Sequence, residues 1–178
     1  MQTQDFFQKL LRSMETSSTR KTIGKGEFLI REGDIENNLY YIESGAVRAF
    51  LLSEFEELTI RFGYQGSFIN SLSSYIRGTP SEFYIEAMRK SEIRTIPKLE
   101  IVKLIHESDE NKIQYINMLE LLISQQIERE IDLLTVSPSE RLKRVLKRSP
   151  NLFQEVPLKY IASYLRMTPE TLSRVRNS

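Results

Sequence analysis

The chain has 178 residues, 40% apolar and 28% charged, enough to bury a core in one large domain or two small ones. It contains no cysteine, which excludes disulfides, thiolate zinc sites and cysteine-held iron–sulfur clusters, and no apolar run approaches the roughly 18 residues of a membrane span. Net charge is +1, but residues 139–178 hold nine Lys/Arg against three acids, whereas the first 138 residues hold 16 against 21. A basic block on an acidic remainder suits a polyanionic partner, and equally an ordinary solvated surface.

The N-terminal residues 3–16 place Phe6, Phe7, Leu10, Leu11 and Met14 at helical spacing and lack the marks of a signal peptide. Residues 22–96 read as short strands and turns. Leu58, Ile60, Phe62 and Tyr64 alternate as a half-buried strand does, as do Phe28 with Ile30 and Val47 with Ala49 and Leu51. All seven glycines fall in this zone, which predicts a compact β-sandwich or barrel. From Pro97 the pattern turns helical. Residues 109–135 lack Pro and Gly, and Ile116, Leu119, Ile123, Ile127, Ile131 and Leu134 recur at threes and fours. Such a helix is about 40 Å long. Its apolar stripe is expected to pack partly on the β-zone and partly on a second copy of itself, a purely internal core helix being the alternative.

Ser137-Pro138-Ser139-Glu140 restarts the chain as a new helix, with Ser137 as N-cap, Pro138 in the first turn and Glu140 completing a capping box. This break marks a hinge. Then Leu158, Ile161, Ala162 and Leu165 share one face of a short helix. Arg166-Met167-Thr168 forms a turn, and Pro169 opens a second helix capped by Thr168, with Leu172 and Val175 inward. That is a helix-turn-helix pattern. Glu170, Ser173 and Arg174 share the outer face near the second helix's start, the end such proteins present to base edges. Arginine can pair bidentately with guanine and a carboxylate can accept from cytosine. A surface Glu170–Arg174 ion pair is the alternative. Lys159 and Arg166 are candidate phosphate contacts.

Across nearly its whole length the sequence resembles the cyclic-AMP receptor protein/FNR (Crp/Fnr) family of transcription regulators. Residues Gly26 to Asp34 (GEFLIREGD) and Tyr40 to Arg48 (YYIESGAVR) look like its first sensor strands. The long helix matches its dimerisation helix, and Thr168-Pro169-Glu170-Thr171-Leu172-Ser173-Arg174 is similar to its recognition helix. The resemblance implies an α+β chain: a cyclic-nucleotide-binding-like β jelly roll over 1–108, a dimerisation helix over 109–136 and a helix-turn-helix over 137–178. It also implies a palindromic DNA site with half-sites related to TGTGA or TTGA. A cytoplasmic homodimer is expected, switched by an effector of unknown identity, with RNA polymerase a further candidate partner and no membrane association.

Three departures from the family pattern stand out. Where nucleotide-binding members have Gly-Glu and then Arg-Ser or Arg-Thr, this chain reads Gly66-Ser67 and Ser81-Glu82. A phosphate needs a cation or oriented donors, which leaves Arg77 as the only nearby substitute. No cofactor is therefore expected, cyclic nucleotide included. The turn glycine is replaced by Arg166, and the sequence ends at Ser178, so a wing after the second helix is not expected. His106, the single histidine, has no accompanying ligand cluster, and no nucleophile–base pair or phosphate loop suggests an enzyme. A ligand-sensing or protein-interaction module with a degenerate helix-turn-helix is the alternative function.

Overall fold

The computed structural model describes residues 9–12 and 18–177. Residues 9–12 are helical, with Leu10 fully buried, while Phe6, Phe7 and Met14 lie outside the described residues. Eight strands follow: β1 (Thr19–Ile23), β2 (Phe28–Ile30), β3 (Asn38–Ser44), β4 (Ala46–Leu52), β5 (Glu57–Tyr64), β6 (Phe68–Ile69), β7 (Tyr84–Ala87) and β8 (Ser91–Pro97). They form two antiparallel four-stranded sheets, ordered β1-β8-β3-β6 and β2-β7-β4-β5. Ile23, Ile42, Val47, Ile85 and Ile93 close the core between them.

Strand β4 explains how the second sheet is used. Its residues Ala46 to Phe50 are buried without a break. Unbroken burial requires cover on both faces. Val47 and Ala49 point into the sandwich, while Ala46 belongs to a second core on the other side of the sheet. The alternation expected in β5 is correspondingly split. Ile60 packs on the sandwich core, whereas Phe62 and Tyr64 join the second core, across a register shift opposite Ala49/Phe50. Gly63 sits inward between them, where a side chain would meet Val47 at 3.2 Å.

The helices are α1 (Leu72–Arg77), α2 (Lys98–His106), α3 (Asp109–Leu134), α4 (Pro138–Arg148), α5 (Leu152–Glu155), α6 (Leu158–Tyr164) and α7 (Pro169–Arg176). Ser108 caps α3 by accepting from the Asn111 amide at 3.1 Å. One side of α3 packs inward through Asn111, Gln114, Met118 and Asp132. At about 100° per residue, Ile116, Ile123, Ile127 and Leu134 fall on the opposite side. They are exposed by 53%, 60%, 52% and 74%, and Ile131 beside them by 41%. Leu119, counted with that stripe in the sequence, is instead half-buried against the cluster of Leu10, Ile96 and Leu104. The break at Ser137 is as read: the Ser137 hydroxyl accepts from the Glu140 amide and Pro138 lies in the first turn. The Glu140 carboxylate, however, pairs with Lys143 at 2.9 Å.

Candidate nucleic-acid interface and ligand cradle

Helices α6 and α7 meet around Ile161, Ala162, Leu165 and Leu172, all at most 1% exposed. Leu158, expected on the same face, lies in the first turn of α6 and is 45% exposed. The Thr168 hydroxyl caps α7, accepting from the Thr171 amide at 3.2 Å. Arg166 is the one non-glycine described residue with positive φ, at +54°, so the turn does take a left-handed residue. Glu170, Ser173 and Arg174 are exposed on α7, as are Thr168, Pro169, Lys159 and Arg166 around it. The Glu170 carboxyl is held below its ordinary range by its own backbone amide and by the Thr168 hydroxyl. It therefore stays an acceptor, turned to the helix start rather than to Arg174. This outer face of α7 is open.

The back of this unit is fixed to the sandwich. The Ser163 hydroxyl accepts from the Thr59 amide at 2.9 Å and donates to the Glu57 carbonyl at 2.8 Å. Arg48, 2% exposed, pairs with Glu86 at 2.9 Å and with Glu57, and its guanidinium lies 4.0 Å from the Tyr160 ring centroid. Arg89 bonds the Glu155 carbonyl at 2.8 Å and the Gly45 carbonyl at 3.2 Å. The break at Ser137, expected to act as a hinge, is also tied. Arg141 donates to the Thr135 carbonyl at 2.8 Å and reaches the Leu165 and Arg166 carbonyls, while Asp132, fully buried, holds Arg144 and Arg148 from α4.

The residues read as an effector pocket separate into two places. Ser81 is buried; its hydroxyl is 2.8 Å from the Ser71 hydroxyl and bonds the Phe83 carbonyl at 2.8 Å. Its partner is thus Ser71, the residue before α1, and not Gly66-Ser67. Those two line a cleft elsewhere, between β5, α3 and the helix-turn-helix. Arg77 and Glu82 are exposed, with Arg77 at the far end of α1 from Ser71. A residue the sequence reading passed over, Glu36, is 1% exposed beside the start of α1. Its Oε1 accepts from the Asn38 amide at 2.9 Å and from the Tyr40 hydroxyl at 3.3 Å, its Oε2 is buried without a partner, and burial pushes its pKa up. An internal acid thus engages two donors at this corner.

The family model for the cyclic nucleotide-binding domain matches residues 20–108, half of the sequence. The chain belongs to the cyclic nucleotide-binding domain family. Solved structures share its fold at low identity. FixK2 from Bradyrhizobium japonicum superimposes with a TM-score of 0.76 at 20% identity, over 90% of this chain and 83% of that one. The c-di-GMP responsive global regulator CLP of Xanthomonas campestris gives 0.68 at 17%, over 98% and 90%. A CRP-family transcriptional regulator from Thermus thermophilus gives 0.64 at 20%, over 88% and 82%. No curated protein matches the chain. The cyclic nucleotide-binding-like domain expected from the resemblance is thus shown by the domain model, and the solved structures show the fold of nearly the whole chain.

In this cyclic nucleotide-binding domain the expected clamp for a cyclic phosphate has no cation. Ser81 stands where the arginine is expected and spends its hydroxyl on Ser71 and Phe83, and the exposed Glu82 follows it. Among the described residues no group of three or more His, Cys, Asp or Glu is placed to hold a metal, and His106 is exposed in the last turn of α2. No described helix is long and apolar enough to cross a membrane.

Proposed function

We propose that the chain is a homodimeric, sequence-specific DNA-binding regulator whose α7 enters the major groove. The observation that carries this reading is the α6–α7 unit: a capped second helix with Glu170, Ser173 and Arg174 exposed at its N-terminal half and a packed back. Arg174 would pair with guanine and Glu170 with the cytosine amino group of the same G·C pair. Lys159 and Arg166 would contact phosphates. The second copy would seat on Ile116, Ile123, Ile127 and Leu134, because an exposed isoleucine row on a 26-residue helix is a partner surface in water. The domain is proposed to work without cyclic nucleotide and without catalysis, as its cradle chemistry and lack of a nucleophile–base pair suggest.

The test is selection of bound duplexes from a random pool at low salt. Enrichment of a palindrome with G·C-dependent half-sites supports the reading, and no enriched motif refutes it. The second reading, a sensing or interaction module with a degenerate helix-turn-helix, gains support from the strained Arg166 turn. Calorimetry with a nucleotide and metabolite panel separates the two: tight ligand binding with no DNA binding favours the module.

A further inference from the structure

A cavity of about 660 Å³ opens where the sandwich, α3 and the helix-turn-helix meet. That volume falls in the usual range for small-molecule sites. Its walls are apolar and aromatic, with Tyr41, Phe62, Phe68 and Leu122 among them. Three arginines line it, Arg61, Arg129 and Arg148, and no described aspartate or glutamate does. Arg148 is neutralised from outside by Asp132 and Glu128. The other two are not.

The Arg61 side chain makes no hydrogen bond or ion pair among the described residues, and burial lowers its pKa. The Arg129 guanidinium carbon lies over the Tyr164 ring, 3.7 Å from its centroid, and Nη2 donates to the Tyr164 carbonyl, but Nη1 is buried with no acceptor. Arg166, Arg148 and Arg141 add like charge around it. A buried guanidinium donor without an acceptor is costly, and folded chains keep such groups where a ligand satisfies them.

We infer that this cleft is a binding site for a small amphiphilic organic anion, its carboxylate or phosphate bridging Arg61 and Arg129 and its flat apolar body lying against Phe62, Phe68 and Leu122. The ligand would touch β5 through Arg61, α3 through Arg129 and α6 beside Tyr164. Its affinity therefore depends on how the three modules sit, and by linkage it biases that arrangement. The site lies on the side of α3 opposite the isoleucine row, so it stays accessible in the proposed dimer. It is separate from the Ser71–Ser81 cradle, and it stands whether or not the chain binds DNA.

The matched probes are 8-anilinonaphthalene-1-sulfonate and N-phenyl-1-naphthylamine, the same aromatic body with and without an anion, titrated into the full chain by fluorescence. The sulfonate is expected to saturate at one per chain. It should weaken about tenfold or more in the Arg61→Gln/Arg129→Gln double variant, while the neutral probe changes less than about threefold. Gln125→Trp, an exposed α3 position on the cleft rim, should weaken both probes by filling the space. Circular dichroism checks folding, and if the double variant unfolds, Arg61→Gln alone carries the test. Unchanged sulfonate affinity in the arginine variant, equal loss of both probes in a folded arginine variant, or indifference to Gln125→Trp would each overturn the inference.

Discussion

Replacing Arg166 by glycine should stabilise the fold. The backbone there has φ +54°, a region that costs an L-residue about 1–2 kcal/mol and glycine nothing. The Arg166 side chain is exposed, so its loss opens no cavity. The backbone bonds survive the change, from the Arg166 amide to the Ser163 carbonyl at 3.1 Å and from Arg141 to the Arg166 carbonyl at 3.3 Å. Like-charge pressure on Arg129 also falls. Against this, glycine gives the unfolded chain extra freedom worth roughly 0.5–1 kcal/mol. The net is about 0.5–1 kcal/mol, a rise in Tm of about 1–4 °C for a chain of this size. Thermal denaturation of the parent, Arg166→Gly and Arg166→Ala measures it. Alanine removes the charge but keeps the strain, so glycine should gain clearly more than alanine. A rise equal in both variants, or a fall with glycine, would refute the backbone argument.

Other substitutions address the remaining parts. Arg174→Ala should relax base preference at one position, at a loss of about 1–3 kcal/mol on the preferred duplex, whereas Lys159→Ala should weaken all sequences alike and lower the salt slope by about one. Both are read by binding titrations on preferred and scrambled duplexes at several salt concentrations. Ile123→Glu with Ile127→Glu should leave a folded monomer, seen by sedimentation, because both positions are exposed within the protomer. A dimer of unchanged stability would remove α3 as the seam. Burial raises the Glu36 carboxyl above its ordinary 4.5, so the folded state holds a proton the unfolded state has lost. That contribution is full below about pH 4.5 and is lost as pH rises through the folded value. Glu36→Gln should thus gain on the parent in urea unfolding as pH rises above about 4.5, and a pH-independent difference would contradict it.

What could be read from the sequence was local. The caps at Ser137 and Thr168, the turn at Arg166 and the outer face of α7 depend on residues within four positions of one another. The long-range partners could not be read that way. Ser163 and Thr59 lie 104 positions apart, and Arg89 and Glu155 lie 66 apart. Gly66-Ser67 was matched to Ser81 by motif order, yet chain folding brings Ser71 there instead. A signal for the docked reader was nevertheless present. In Ala46-Val47-Arg48-Ala49-Phe50 only Arg48 breaks an otherwise apolar strand, so the outer face needed cover, and a lone charge on it needed paired acids. Arg61 and Arg129 were invisible because an arginine on an alternating strand or a polar helix face normally reads as solvated.

The cover over that face makes a last prediction specific. Strand β5 is an edge of its sheet, and an edge leaves backbone donors and acceptors open to strand pairing. Here one hydroxyl closes two of them, since Ser163 accepts from Thr59 and donates to Glu57. Ser163→Ala removes both bonds while placing a strong helix former at that position. The Thr59 side chain is 2% exposed and its hydroxyl is without a partner, so water reaches this spot only if α6 moves. Leaving the amide unsatisfied costs about 1–3 kcal/mol. If that cost falls on the docked state, undocking becomes roughly 5–150 times more frequent. Amide hydrogen exchange at Thr59 should then speed by a factor in that range, with the sandwich interior at Ile42 and Ile93 unchanged. Equal acceleration at all three would mean global destabilisation, and no acceleration at Thr59 would mean that Arg48, Tyr160 and Arg89 hold the reader without Ser163.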